Sequence, residues 1–108
     1  MFEATSEVKD GIATITVKGE LDGSSAPAFQ AKVAEAAAQH AKTLVLVMKD
    51  LEYMASAGIR VLVFAMQKMG SDVRIYVIAP QEQVVDTIKM TGLHHSVTIQ
   101  DSLDLAAK

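Results

Sequence analysis

One continuous apolar run, Thr43 to Met48, constrains the fold of this chain more than any other segment. Its residues, TLVLVM, are rich in β-formers and do not alternate with polar residues. A half-buried strand would alternate, whereas a strand covered on both faces reads as an unbroken apolar run. We therefore predict a central strand with packed layers above and below it, as in parallel sheets flanked by helices.

Two β-prone segments, Phe2 to Val8 and Ile12 to Lys18, precede that run and predict a β-hairpin. They are separated by Lys9-Asp10-Gly11, and Asp-Gly is a frequent hairpin turn because such turns need positive φ angles. The second segment is partly apolar on both faces, so it should also have a layer packed on each side. The first strand is expected to run antiparallel to its neighbour.

Amphipathic helical patterns and buried strands alternate over the remainder of the chain. Helices are predicted at about 25–40, 57–69, 80–91 and 103–107, and further strands at 72–78 and 96–99. The order is then β-β-α-β-α-β-α-β-α. This order predicts an α/β fold with a mixed, mostly parallel β-sheet, an N-terminal hairpin and flanking helices, in a single domain over residues 1–108.

The amino-acid composition excludes several classes of site and argues against several classes of partner. Half of the 108 residues are apolar, which is enough for the core of one domain. The absence of cysteine excludes disulfides, thiolate zinc sites and thiol nucleophiles. A net charge of −3 with scattered Lys and Arg argues against direct nucleic-acid binding, which relies on a basic patch. Without a signal-peptide pattern or a membrane-length apolar run, we expect a soluble, cytoplasmic protein with no membrane partner.

The segment from Asp50 to Gly58 connects the central strand to the next helix, and we predict a loop with Ser56 at the helix start. Serine is a favoured N-cap because its hydroxyl oxygen accepts from a free backbone N–H. A helix start also attracts negative charge. Ser56 is therefore either a simple cap or a residue whose chemistry is used. Met54, in the same loop, is either an adaptable contact residue or a plug of the core.

The helix predicted at 57–69 carries an aromatic residue on its polar side. In a helical projection Phe64 falls on that side, with Ala57 and Val61 beside it. An aromatic side chain on a solvent-facing surface is a candidate partner contact, and packing against a neighbouring loop is the alternative. The side predicted to face the core comprises Ile59, Leu62, Val63, Met66 and Met69.

Catalytic and metal-binding patterns are weak in this chain. His94 and His95 are adjacent, so they cannot both face one metal ion from a regular element, and no carboxylate pair accompanies them. The chain has no glycine-rich phosphate loop of known spacing. Ser56 is not a nucleophile elbow, because Met54 stands where that motif has its first glycine. We therefore expect a protein that is not an enzyme and that has no metal or cofactor.

Three segments, taken in order, resemble the STAS domain family, specifically the small anti-sigma-factor antagonists of bacterial partner-switching systems. They are Gly19-Glu-Leu-Asp22 before a small-residue helix, Asp50-Leu-x-x-Met-x-Ser-x-Gly58 before an apolar helix, and Thr91-Gly-Leu93 before a short strand that ends in Asp101-Ser102. The resemblance covers essentially the whole chain, and it implies a STAS-like fold.

In such antagonists the serine of the signature loop is phosphorylated by the anti-sigma factor, an ATP-dependent serine protein kinase. The unphosphorylated form binds that kinase and releases the sigma factor, and a separate PP2C-type phosphatase removes the phosphate. The resemblance thus implies phosphorylation of Ser56, a role in transcription regulation, and weak homodimerisation. With the outward side predicted for the following helix, the partner-binding residues that we predict are Asp22, Met54, Ala55, Ser56, Ala57, Gly58, Val61 and Phe64.

The signature loop departs from the family pattern at two positions. Ala55 stands where the family usually has Asp, and Ala57 stands where another Ser or Thr often follows. The missing carboxylate keeps a second hypothesis open, an unregulated scaffold or interaction subunit of a larger signalling or lipid-transport assembly. A third hypothesis is a small-molecule or nucleotide binder, in which Glu20, Asp22 and the Ser56 loop would line the site at the strand ends. Turn and capping roles are the alternative for these carboxylates.

Overall fold

The computed structural model of this chain describes residues 1–70 and 72–105. The strands are β1 (Phe2–Lys9), β2 (Ile12–Leu21), β3 (Thr43–Val47), β4 (Leu51–Met54), β5 (Arg74–Ile78) and β6 (Thr98–Gln100). The helices are α1 (Ala26–Ala38), α2 (Ser56–Met69) and α3 (Glu82–Met90), and a short 3₁₀ helix covers Leu93–His95.

The strands form one sheet in the order β1-β2-β3-β5-β6, with β4 paired to β2. β1 is antiparallel to β2, and the other pairs are parallel. β2 is long enough to serve two partners in succession, since residues 12–16 pair with β3 and residues 19–21 pair with β4. The register shifts between Gly19 and Glu20, where β4 takes over. β4 therefore continues along β2 beyond the point at which β3 ends.

The main core lies between the sheet and the three helices. Leu44 and Leu46 of β3 belong to it, together with buried side chains of α1, α2 and α3. Val45, which alternates with them, forms a second small cluster with Tyr76 and Ile78. Because neighbouring residues of a strand point to opposite faces, β3 is buried on both faces of the sheet. This arrangement is the physical reason for its unbroken apolar sequence.

The predicted α/β class, the hairpin and the mostly parallel sheet are confirmed. The predicted loop before Ser56 is wrong, because residues 51–54 form β4 and obtain their backbone pairing from β2. The last predicted helix does not begin at Leu103. Residues 101–105 are not helical, and the Leu105 carbonyl instead accepts from the Tyr76 hydroxyl at 3.3 Å. Residues 106 and 107 of that prediction lie outside the described part of the chain.

Within residues 1–70 and 72–105, no helix combines the length and the apolar character that crossing a bilayer requires.

Candidate functional site

Ser56 lies at the junction of β4 and α2, and it is the first helical residue rather than the cap. Ala55 holds the cap position with φ −92° and ψ 175°, and no side chain caps this helix. The predicted capping role of Ser56 is therefore wrong, because the extended backbone of β4 persists through Ala55 and the helix begins directly after it. Ser56 is exposed, and its hydroxyl has no hydrogen-bond partner among the described residues. A free hydroxyl thus stands at the positive end of the α2 dipole.

Gly58 allows the first turn of α2 to lie directly on the ends of β2 and β4. A Cβ at this position would come within 2.8 Å of the Leu21 Cδ2 and the Met54 Cγ. Two backbone hydrogen bonds hold the same turn: the Ala55 N–H donates to the Leu21 carbonyl at 2.8 Å, and the Gly58 N–H donates to the Ala55 carbonyl at 2.9 Å. The backbone before Ser56 is therefore hydrogen-bonded to β2, and the backbone after it packs closely on side chains of β2 and β4.

Asp22 organises the turn that leads from β2 into α1. Its Oδ1 accepts from the Ser24 hydroxyl at 2.8 Å and from the backbone N–H groups of Ser24 and Ser25 at 3.0 and 3.2 Å. These bonds, that of the Ser24 hydroxyl first, hold the pKa of the Asp22 carboxyl below its usual value. Glu20 is exposed and pairs instead with the N-terminal amine of Met1 at 3.6 Å. The predicted alternative, a turn role, describes Asp22, whereas Glu20 forms an ion pair that the sequence did not predict.

The prediction of which residues of α2 face the core is wrong at Val61 and Val63. Val61 is only 2% exposed and belongs to the core, so it does not face outward. Phe64 is half-buried and packs against the same core, an arrangement that neither of its two predicted alternatives described. Val63, predicted to face the core, is 37% exposed. The reason is that α1 packs along α2 and covers a side that a projection of α2 alone leaves to solvent.

An open groove of about 490 Å³ lies between α1 and the start of α2. Small side chains line it, among them Ala26 and Ala34 of α1 and Ala57 of α2. Arg60 also lines the groove, and it makes no ion pair with any residue that the structure describes. Because Arg60 follows Ser56 by one helical turn, its positive charge lies on the same side of α2 as the Ser56 hydroxyl.

Met54 is buried, so the predicted alternative of a core plug applies rather than that of an exposed contact residue. Its backbone N–H donates to the Gln83 side-chain oxygen at 2.8 Å, and its carbonyl accepts from the Gln83 side-chain nitrogen at 3.2 Å. Sequence reasoning missed Gln83. The only signal was a polar pair, Gln83 and Thr87, spaced one turn apart on α3.

The predicted partner-binding residues cluster in space but differ in accessibility. We define the Ser56 surface as Tyr53, Ala55, Ser56, Ala57 and Arg60. Of these residues Tyr53, Ser56 and Arg60 are exposed, and Ala55 and Ala57 are half-buried. Tyr53 lies in β4 and is 45% exposed, and both Tyr53 and Arg60 were missed by the sequence interpretation. Of the other predicted residues, Asp22 and Phe64 are half-buried, and Met54, Gly58 and Val61 are buried.

The histidine pair lies in the 3₁₀ helix that contacts α3 and β6. The rings of His94 and His95 have centroids 4.0 Å apart. Burial lowers the pKa of His94, and the nearby charges of His95 and Lys89 lower it further. No cluster of three or more potential metal ligands exists within residues 1–70 and 72–105.

Comparison with known proteins gives four consistent matches. The family model of the STAS domain matches residues 3–106. The anti-sigma-F factor antagonist RsfB of Mycobacterium tuberculosis is 26% identical over 94 residues, which cover 87% of this chain and 77% of that protein.

Two solved structures share the fold. An anti-sigma factor antagonist from Mycobacterium paratuberculosis superimposes with a TM-score of 0.85 at 26% identity, covering 96% of this chain and 89% of that one. The anti-sigma factor antagonist SpoIIAA in its unphosphorylated form superimposes with a TM-score of 0.77 at 23% identity, covering 92% and 87% of the two chains.

Proposed function

This chain belongs to the STAS domain family, and on that premise we propose that it is an anti-sigma factor antagonist that binds its anti-sigma factor through the Ser56 surface. The observation that carries the proposal is the unbonded, exposed hydroxyl of Ser56 on a backbone fixed to the sheet. The relatives described above, which are named as antagonists, support the same class of function.

Ser56 is the proposed phosphorylation site. It is the only Ser or Thr between Asp50 and Gly58, and therefore the only such hydroxyl that this segment offers a kinase. A phosphoserine carries about −1.5 to −2 charges at neutral pH. Within the free protein, the start of α2 and the nearby Arg60 are both electrostatically favourable for that charge. The phosphorylated form should therefore keep its fold.

The same charge acts against the complex. A partner that covers the Ser56 surface removes water from it, and an unpaired phosphate in a partly desolvated interface is strongly unfavourable. Phosphorylation would thus release the anti-sigma factor without a rearrangement of the antagonist. In this scheme the chain is a binding protein and a substrate of the anti-sigma kinase, and a separate PP2C-type phosphatase restores the binding form.

Intact-mass measurement after incubation with the anti-sigma factor kinase and ATP tests the proposal. We expect the addition of one phosphate to the wild type and none to Ser56→Ala. Ser102→Ala, a change at another exposed serine beyond β6, is the matched control and should be phosphorylated like the wild type. No phosphate on the wild type, or phosphate that persists on Ser56→Ala, would refute the assignment of the site.

An unregulated STAS interaction subunit is the second candidate, and the observation that favours it is Ala55. The usual carboxylate at this position is missing, while the Ser56 surface and the adjacent groove remain available. Binding of the anti-sigma factor that does not change on addition of ATP would favour this candidate over the phosphorylation switch.

A further inference from the structure

β4 is a short strand that pairs with β2 alone. At its last residue, Met54, a side-chain amide from α3 takes the place of a neighbouring strand. The Gln83 Oε1 accepts from the Met54 N–H at 2.8 Å, while the Gln83 Nε2 donates to the Met54 carbonyl at 3.2 Å. One side chain thus satisfies both backbone groups of a residue that is only 1% exposed.

Thr87 fixes the orientation of this amide. The Gln83 Nε2 donates its second hydrogen to the Thr87 Oγ1 at 3.0 Å. The Thr87 hydroxyl in turn lies 3.0 Å from the Gln83 backbone carbonyl and 3.3 Å from the Met54 carbonyl, and it can donate to one of them at a time. We call Gln83 and Thr87 together the Met54 clamp. Both ends of the amide are engaged, so a flip of the Gln83 side chain would break both of its bonds to Met54.

The clamp acts next to Ser56. Met54 is two residues before Ser56, and the intervening Ala55 donates its N–H to the Leu21 carbonyl at 2.8 Å. The end of β4 is therefore held from α3 on one side and from β2 on the other. Ala55 occupies the N-cap position of α2, where a polar side chain is usual. Its methyl group cannot form the capping hydrogen bond that would otherwise hold the turn.

We propose that Gln83 is a positioning residue for Ser56: by clamping Met54 it holds the end of β4 in the place from which α2 and the Ser56 hydroxyl start. The inference rests on the proposed function of Ser56. It makes α3 part of the mechanism, although α3 contributes no residue to the Ser56 surface.

Amide hydrogen exchange tests the positioning directly and needs no partner. In Gln83→Leu, which keeps a similar volume but no polar atoms, we expect exchange at Met54, Ala55 and Gly58 to accelerate by about tenfold or more. Gln83→Glu keeps an acceptor for the Met54 N–H and loses the donor to its carbonyl, so it should give an intermediate effect. Its fold should survive even if the leucine variant is too unstable to measure.

Gln81→Leu is the matched control. Gln81 directly precedes α3 and donates to the Lys49 carbonyl, ahead of β4, at 3.0 Å. Its removal should leave exchange at Ala55 and Gly58 unchanged. If amide exchange in Gln83→Leu accelerates only at Met54, the proposal is overturned. Gln83 would then satisfy the backbone groups of Met54 without positioning the start of α2.

The functional readout is the rate of Ser56 phosphorylation by the anti-sigma factor kinase, measured as kcat and KM. We expect Gln83→Leu to lower kcat/KM by about tenfold or more, since a misplaced acceptor hydroxyl reacts more slowly, and Gln81→Leu to match the wild type. Wild-type kinetics for Gln83→Leu would overturn the proposal even if exchange is faster. Failure of the wild type to react would instead refute the proposed function, and the exchange result would still decide the role of the clamp.

Discussion

At the residue scale, the position of Ser56 depends on two neighbours with small side chains, Ala55 and Gly58, as well as on the hydrogen bonds around it. Gly58 lacks a Cβ, which lets the first turn of α2 approach Leu21 and Met54. Ala55 lacks a polar side chain, so the start of the helix is held by backbone bonds and by the Met54 clamp rather than by a cap. The result is a serine hydroxyl that is free for a partner although the backbone beneath it is tied on several sides.

Gly58→Ala is expected to destabilise the fold by about 1–2 kcal/mol, the balance between overpacking and a gain in helix propensity. The added methyl would sit 2.8 Å from the side chains of Leu21 and Met54, and both are enclosed in the core. Urea unfolding measures the difference. Gly23→Ala is the control, because a Cβ there meets nothing within 4 Å. Equal unfolding midpoints for the two variants would show that the close approach at Gly58 is not needed.

At the element scale, α2 shows how a neighbouring helix decides which side of a helix is buried. Seen alone, α2 offers apolar residues around much of its circumference, and its buried side cannot be assigned from the helical period. The packing of α1 along it buries Val61 and Ala65, and Val63 is left at the surface. The alanine-lined groove beside Ala57 is a product of the same packing.

Val61→Ala and Val63→Ala make the same chemical change two residues apart on α2. Val61 is 2% exposed and Val63 is 37% exposed. We expect a loss of about 2 kcal/mol for Val61→Ala, from lost burial and the cavity left behind, and less than about 0.5 kcal/mol for Val63→Ala. Chemical denaturation of both variants provides the comparison. The reverse ranking would contradict the observed rotation of α2.

At the scale of the whole molecule, the sheet is a rigid framework, and Ser56 lies at the end of one of its strands, β4. β2 carries β3 and β4 in succession, and β4 delivers the chain to Ser56. The end of β4 is hydrogen-bonded to β2 through Leu21 and to α3 through Gln83. A change of charge at Ser56 should therefore leave the conformation of the fold unchanged. Its effect should be limited to the affinity for a partner.

Ser56→Asp is expected to leave the free energy of unfolding within about 0.5 kcal/mol of the wild type, because a negative charge at a helix start is tolerated or favoured. If the chain binds an anti-sigma factor as proposed, that binding should weaken about a hundredfold, which corresponds to about 3 kcal/mol. Calorimetric titration measures the affinity, with Ser102→Asp as the control for an added charge elsewhere on the surface. Normal binding by Ser56→Asp would contradict the hypothesis that negative charge releases the partner. Unfolding of the variant would contradict the hypothesis that the fold tolerates charge at Ser56.

The sequence by itself determined the order of most elements, because their signals are local. The Asp10-Gly11 turn predicts the hairpin, and the unbroken run at 43–48 predicts a strand covered on both faces. The signature residues around Ser56 also identify the family without any coordinates. Each of these conclusions rests on residues that are close together in the chain.

Only the tertiary structure decided the features that depend on distant partners. Residues 51–54 include the exposed Glu52 and Tyr53 and have no clear strand period, and they become β4 because β2 extends far enough to pair with them. Val61 is buried because α1 lies against it. The Met54 clamp joins residues 29 positions apart. A hydrogen bond or a packed face between such residues has no local sequence pattern, because its free energy is gained only when the chain has brought them together.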